Sequence, residues 1–196
     1  MREIDMIVIH CSGSRCDRDY SFEALDRDHR SRGWNGCGYH RYITKDGTVH
    51  VGRDYEQVGA HVGPKFNPHS IGICYEGGLN GKGQFADTRT EAQKRSMAAL
   101  IRELKTRFPK ARILGHRDLP GVRKACPCYD VAKDQNEEKP SQSLKTLPRI
   151  RDRPMHRVQK PDPNLGHVSP GSEYLHPDLG HVFPMSEERA AQAIQG

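Results

Sequence analysis

The sequence predicts an α/β fold over residues 1–134, in which a mixed central β-sheet is flanked by helices and a metal site lies at the strand ends. Short apolar runs rich in isoleucine and valine alternate with segments of helical periodicity along this part of the chain. Glycine, proline and polar residues separate the runs, as expected of turns. Residues 135–196 hold eight of the thirteen prolines and no sustained apolar period. We therefore expect a proline-rich tail of low order there.

The predicted strands are apolar segments bounded by turn residues. The segment IDMIVIH at 4–10 suits a strand that is buried on both faces. Residues 39–53 alternate with period two on both sides of an Asp-Gly pair, which predicts a β-hairpin. Two further strands are expected at 70–78 and 111–116.

Two segments predict helices. The first spans 21–33 and ends at Gly33. The second begins at Thr90, which can form a capping box with Gln93, and Pro109 ends it. Its apolar stripe consists of Gln93, Met97, Leu100, Ile101, Leu104 and Phe108.

Charge also distinguishes the two parts of the chain. The net charge of +6 lies on the first part, because residues 135–196 contain eight Lys/Arg and eight Asp/Glu. A basic domain favours an acidic partner such as nucleic acid, an anionic membrane surface or a cell-wall polymer. The basic residues are scattered and form no groove-reading motif, so no nucleic-acid partner is expected. No segment is long and apolar enough for membrane insertion, and no signal peptide is recognisable, so we expect synthesis in the cytoplasm.

The six cysteines are expected to be thiols or metal thiolates, because a disulfide framework is typical of secreted proteins. Free cysteines behave as small apolar side chains. Four of them are predicted to be mostly buried residues and not ligands: Cys11, Cys16, Cys37 and Cys74.

Three potential metal ligands are predicted to meet at strand ends. His10 ends the first predicted strand and His116 ends the last, so the two imidazoles meet if these strands are neighbours. The loop GHRDLPGVRKACPCYD at 115–130 then supplies Cys126 or Cys128 as a third donor. Two histidines and a thiolate suit tetrahedral zinc. Spacing does not choose between the cysteines, since residues two apart in an extended segment face the same way.

Four segments resemble, in the same order, the zinc-dependent N-acetylmuramoyl-L-alanine amidases, whose fold is shared by phage amidase-type lysozymes and peptidoglycan recognition proteins. The segments are IVIHCSGS, GWNGCGYHRYITKDGTVHVGRD, VGAHVGPKFNPHSIGICYEGG and GHRDLPGVRKACPCYD. The resemblance covers residues 1 to about 134 and does not reach the tail. It implies hydrolysis of the amide bond between N-acetylmuramic acid and L-alanine in peptidoglycan. The implied partners are the glycan strand and the stem peptide of peptidoglycan. The protein is expected to be a monomer that acts on the cell wall after its release or export from the cytoplasm.

The resemblance also implies the roles of individual residues. One zinc ion per chain would be held by His10, His116 and Cys126, since Cys126 precedes a proline and follows Lys124 by two positions, as in the family. Cys128 stays an alternate or auxiliary ligand. Tyr39 and Lys124 match the two catalytic side chains of the family. The phenol would donate a hydrogen bond near the metal, and the ammonium would stabilise developing negative charge.

Substrate contacts are implied in the same way. His61 and Asn67 match residues that line the peptide groove in relatives, and His61 could also lie close to the metal. Arg53 matches either a structural salt-bridge partner or a ligand of stem-peptide carboxylates. His40 is expected to point to the opposite face of the strand and is left out of the site. Cys74 stands where some relatives have glutamate, which favours the mechanism that uses tyrosine and lysine.

Two functions of other classes stay open on the sequence alone. A non-catalytic peptidoglycan-binding module occurs in this superfamily where the cysteine ligand is lost, so the presence of Cys126 argues against it. A cysteine hydrolase would use Cys126 or Cys128 as the nucleophile with His116 as its base. The zinc content of the purified protein and its activity in a chelator would distinguish these functions.

Overall fold

A computed structural model of the chain describes residues 2–137 and the backbone of residues 150–151. The remainder of the predicted tail lies outside the described residues. Within the described part, no helix combines the length and the apolar character that crossing a bilayer would require.

The main sheet contains six strands among the described residues: β1 (Met6–Cys11), β3 (Arg41–Ile43), β4 (Val49–Val51), β5 (Ser70–Tyr75), β7 (Arg112–Gly115) and β8 (Ile150–Arg151). Their order across the sheet is β7-β1-β5-β3-β4-β8. Strand β1 is parallel to both β5 and β7, whereas β3 and β4 form an antiparallel hairpin. Two short strands pair separately, β2 (Ser14–Arg15) and β6 (Gly78–Leu79). The mixed sheet and its helices confirm the predicted fold class.

Strands β1 and β5 are adjacent interior strands of the sheet and are buried on both faces, as predicted for the first strand. On one face Ile7 and Ile9 join the cluster that contains Leu100 and Leu104 of the long helix. On the other face Val8 packs in a cluster with Leu119. Because both faces are covered, the carboxyl ends of these strands are held rigidly, and the loops that follow them start from fixed positions.

Three helices are described: α1 (Phe22–Ser31), α2 (Glu91–Arg107) and α3 (Val131–Glu137). The capping box predicted for α2 is present, with Thr90 Oγ1 accepting from Gln93 N at 3.1 Å and Gln93 Oε1 accepting from Thr90 N at 3.0 Å. Every residue of the predicted apolar stripe is buried. The predicted positions of α1 and α2 are therefore confirmed to within a few residues.

The sequence patterns did not predict α3, which runs across the expected domain boundary at residue 134. Asp134 of α3 accepts two hydrogen bonds from the guanidinium of Arg89, at 2.9 and 2.8 Å. Arg89 also lies over the ring of Tyr129, 3.3 Å from its centroid, and its side chain is only 3% exposed. This contact ties the beginning of α3 to the segment that precedes α2.

Strand β5 ends before the predicted limit of residue 78. Gly77 and Gly78 have φ angles of 133° and 102°, a region of backbone conformation that side chains with a Cβ rarely adopt. The chain therefore leaves the main sheet after Tyr75 and enters β6. At the other end of the fold, β7 stops at Gly115, and His116 begins a 3₁₀ turn directly after it.

Candidate metal centre

Two neighbouring parallel strands bring His10 and His116 together. In the register of β1 and β7, Ile9 lies opposite Gly115, so the residues that follow stand side by side at the carboxyl edge of the sheet. The imidazole centroids are 4.6 Å apart. The predicted adjacency of the first and last strands is thus confirmed.

The loop after His116 returns Cys126 to the same edge. Arg117 N donates to the carbonyl oxygen of Cys126 at 2.8 Å, which holds the two chain segments together. The Cys126 thiol lies 3.8 Å from His10 Nδ1 and accepts from the backbone N–H of Cys11 at 3.3 Å. One ligand atom from each of His10, His116 and Cys126 lies within 4.8 Å of the others.

This donor set fits a zinc ion. Zn–N and Zn–S bonds of about 2.0–2.3 Å place the ligand atoms of a tetrahedral site roughly 3.3–3.8 Å apart. The 3.8 Å between His10 Nδ1 and the Cys126 sulfur falls in this range, and the third donor lies within 4.8 Å of both. His10 is buried, whereas His116 and Cys126 are half-buried, so the group is open on one side. Three protein donors with one open side are typical of catalytic and not of structural zinc sites.

Cys128 does not belong to this group. Its φ angle is 70°, so the segment departs from the extended conformation in which positions 126 and 128 would face the same way. Its sulfur lies 3.6 Å from that of Cys11. The structure therefore separates two cysteines that sequence spacing could not.

The four cysteines expected to be mostly buried differ in exposure. Cys37 and Cys74 are buried, and burial raises the pKa of the Cys74 thiol. Cys11 is half-buried. Cys16 is exposed, so the prediction was wrong for this residue, which lies just after the short surface strand β2.

The environment of His10 favours its neutral form. Burial, followed by the nearby imidazoles of His61 and His116 and the ammonium of Lys124, lowers the pKa of His10 well below its ordinary value. A neutral imidazole retains the lone pair that a metal ligand needs. Lys124 itself is exposed and lies near enough to the centre for its charge to act on His10.

Tyr39 lies beside the candidate metal ligands, two residues before β3 begins. Its ring centroid is 5.1 Å from that of His10, and its ring packs against the cluster that contains Cys37 and Cys74. Burial raises the pKa of Tyr39 well above its ordinary value. The phenol is therefore protonated at neutral pH.

His61 and Asn67, the two predicted substrate contacts, make contacts within the protein. His61 Nδ1 lies 3.1 Å from His10 Nε2. Asn67 Oδ1 accepts from the backbone N–H groups of His61 and Val62, at 3.0 and 2.9 Å. These contacts position the loop beside the metal ligands, while the predicted roles in substrate binding stay predictions.

The guanidinium of Arg53 donates to backbone carbonyls, at 2.9 Å to Cys37 and 2.6 Å to Val58. Of its two predicted roles, these contacts favour the structural one, although the acceptors are carbonyl oxygens and not the carboxylate of a salt bridge. Ser70, which patterns in the sequence did not single out, is fully buried and lies next to His61. A serine that begins a strand carries no signal that would have revealed this contact.

His40 is fully buried, and its pKa is lowered to about 4. The main cause is burial, and the charges of Arg2, Arg41 and Arg53 act in the same direction. Its Nδ1 accepts from the backbone N–H of Gly72 at 2.9 Å, so a proton on Nδ1 would face another donor. His40 is not among the residues of the candidate metal-ligand group, while its predicted absence from the rest of the site stays a prediction.

We therefore expect the free energy of unfolding to fall on acidification. The unfolded chain protonates His40 near pH 6.5 and the folded chain only near pH 4, so the stabilisation is complete above pH 6.5 and is lost as the pH falls toward 4. The difference amounts to about 3 kcal/mol at most. Urea unfolding of the metal-free protein at several pH values should give a shallower pH dependence for His40→Gln. The matched control is His69→Gln, at an exposed histidine, and an equal slope in His40→Gln and the unaltered protein would contradict the expectation.

Comparison with known proteins identifies the family of the chain. The family model for N-acetylmuramoyl-L-alanine amidases matches residues 1–129, a span that contains His10, His116 and Cys126. The endolysin of Klebsiella phage KP32 is 36% identical over 138 residues, or 69% of this chain and 89% of that protein. The endolysin of Escherichia phage T7 is 35% identical over 135 residues, or 68% of this chain and 87% of that protein. The solved N-acetylmuramoyl-L-alanine amidase LysC from Clostridium intestinale URNW matches with a TM-score of 0.59 at 30% identity, over 69% of this chain and 85% of that one.

Proposed function

Because the chain belongs to the N-acetylmuramoyl-L-alanine amidase family, we propose that it cleaves the amide bond between N-acetylmuramic acid and L-alanine in peptidoglycan. The observation that carries this proposal is the group of two imidazoles and one thiol at the carboxyl ends of adjacent parallel strands. The two phage endolysins span nearly the same length as the described domain, so the likeness extends over a whole catalytic unit.

The ligands of the proposed single zinc ion are His10, His116 and Cys126. When bound, zinc would act as a Lewis acid that lowers the pKa of water and polarises the scissile carbonyl. The open side of the group leaves room for the substrate amide. The paired strands β1 and β7 hold His10 and His116 at their ends, so the two imidazoles need not move during the reaction.

The side chains around the ligands supply hydrogen bonding and charge. Tyr39 keeps its proton at neutral pH and donates a hydrogen bond to the reacting group beside His10. Lys124 supplies a positive charge near the carbonyl oxygen, where negative charge develops during attack on the amide. Lys124 is only two residues from Cys126, so the loop that delivers the ligand also delivers the ammonium.

We further propose that the protein acts as a monomer on the glycan strand and stem peptide, without membrane insertion. The positive charge of residues 1–134 supports attraction to an anionic wall polymer. The route to the wall is release from the cytoplasm or export. His61 and Asn67 are proposed to line the groove for the stem peptide through the surfaces that their protein contacts leave open.

Digestion of purified peptidoglycan, followed by mass spectrometry of the products, tests the proposed reaction. We expect free stem peptides with an N-terminal L-alanine and glycan strands with intact N-acetylmuramic acid. New reducing sugar ends, or cuts within the peptide, would contradict it. The metal-free protein should be inactive in the same digestion and should regain activity when zinc is added. Activity that survives verified metal removal would favour the cysteine hydrolase.

A further inference from the structure

A second histidine occupies a position from which it can control the metal ligand His10. Both ring nitrogens of His61 have protein neighbours: Nδ1 lies 3.1 Å from His10 Nε2, and Nε2 lies 3.4 Å from Ser70 Oγ. Ser70 is fully buried at the start of β5, and its hydroxyl donates to the carbonyl oxygen of Phe66 at 2.9 Å. These contacts form one continuous hydrogen-bonded series from a backbone carbonyl to the metal ligand.

The direction of each hydrogen bond follows from the backbone carbonyl at its end. A carbonyl oxygen only accepts, so the single hydroxyl proton of Ser70 points to Phe66. Ser70 Oγ must then accept from His61 Nε2–H, which leaves a lone pair on His61 Nδ1. That lone pair accepts from His10 Nε2–H. The lone pair of His10 is consequently on Nδ1, the nitrogen 3.8 Å from the Cys126 sulfur.

The backbone holds the His61 ring in the required orientation. A Cβ atom at Gly72 would lie 2.7 Å from ring atoms of His61, and one at Gly59 would clash with its Cδ2. Only glycine allows the ring to approach both chain segments so closely. Asn67 fixes the backbone at the same position, since its Oδ1 accepts from His61 N. The ring therefore has little freedom to turn away from His10.

We propose that His61, oriented by Ser70, is a positioning residue that selects the tautomer of His10 in which Nδ1 is free to bind the metal. The inference rests on the proposed function only in assigning zinc to the group. Without His61, the neutral His10 ring would be divided between two tautomers, and one of them presents N–H to the metal. Loss of such an outer contact typically lowers metal affinity about 10–100-fold.

Two measurements on purified protein test this inference without peptidoglycan. Long-range ¹⁵N–¹H NMR spectra of the metal-free protein should show the Nε2–H tautomer of both His10 and His61. His61→Phe should yield a mixture of His10 tautomers and weaken zinc binding about 10–100-fold in competition with a chromogenic chelator. His50→Phe, which removes an imidazole outside the metal-ligand group, is the matched control and should change neither quantity.

Ser70→Ala keeps the inference testable if His61→Phe does not fold. It removes the acceptor of His61 Nε2–H without touching His10, so it should mix the tautomers of His61 first and weaken zinc binding by less than His61→Phe. An Nδ1–H tautomer of His10 in the unaltered protein would overturn the inference. Unchanged tautomers and zinc affinity in a folded variant would do the same. Failure of the amidase reaction in a protein that binds zinc normally would count against the proposed function alone.

Discussion

Cys126→Ser is expected to lose most of the bound zinc, whereas Cys128→Ser is expected to retain it. The Cys126 sulfur shares the ligand group with His10 and His116, while that of Cys128 faces Cys11. A serine hydroxyl is a poor substitute for a thiolate on zinc. Loss of a direct ligand should weaken binding by at least about a hundredfold, because outer contacts alone account for about 10–100-fold.

The two variants are well matched, because each replaces one cysteine sulfur by oxygen and the two positions are only two residues apart. Metal content by mass spectrometry and zinc affinity by chelator competition measure the effect. The rate of peptidoglycan hydrolysis should parallel the zinc content, so Cys126→Ser should be inactive and Cys128→Ser active. Equal zinc loss in both variants would mean that the ligand has been assigned to the wrong cysteine.

Lys124→Ala is expected to lower turnover by roughly a hundredfold or more while zinc stays bound, the scale on which loss of one preorganised charge-stabilising donor is felt. An ammonium group has no lone pair for the metal, and the three ligands remain. Tyr39→Phe should behave similarly, because it removes one hydroxyl from a ring that otherwise keeps its packing beside His10. Wall binding should persist in both variants, which would convert the enzyme into a recognition module.

Arg123→Ala is the matched control for Lys124, since it removes an exposed positive charge from the adjacent position. If Lys124 acted only through general attraction to an anionic wall, the two substitutions would have equal effects. Amidase rate, zinc stoichiometry and wall pull-down should be measured on the same preparations. Near-normal turnover in Lys124→Ala with full zinc would remove the assigned role, and the charge-stabilising function would pass to the metal.

Elements whose signals come from neighbouring residues could be predicted from the sequence. The capping box of Thr90 and Gln93, the stripe of α2 and the alternation of the hairpin each depend on neighbours a few residues apart, and all three were predicted from their spacing. The placement of His10 and His116 near strand ends was predicted on the same basis. The resemblance to the amidases then supplied predictions that spacing could not, namely the choice of Cys126 and the proposed roles of Tyr39 and Lys124.

Contacts between segments far apart in the chain could not be predicted from residue spacing. The register that sets Ile9 opposite Gly115 aligns the two histidines, and it depends on strands about a hundred residues apart. The departure of Cys128 from extended conformation comes from a single φ angle that no periodicity reports. The contact of Ser70 with His61 arises where a strand start meets a loop. Such contacts join residues that have no fixed spacing in the chain, so packing of the whole domain is what determines them.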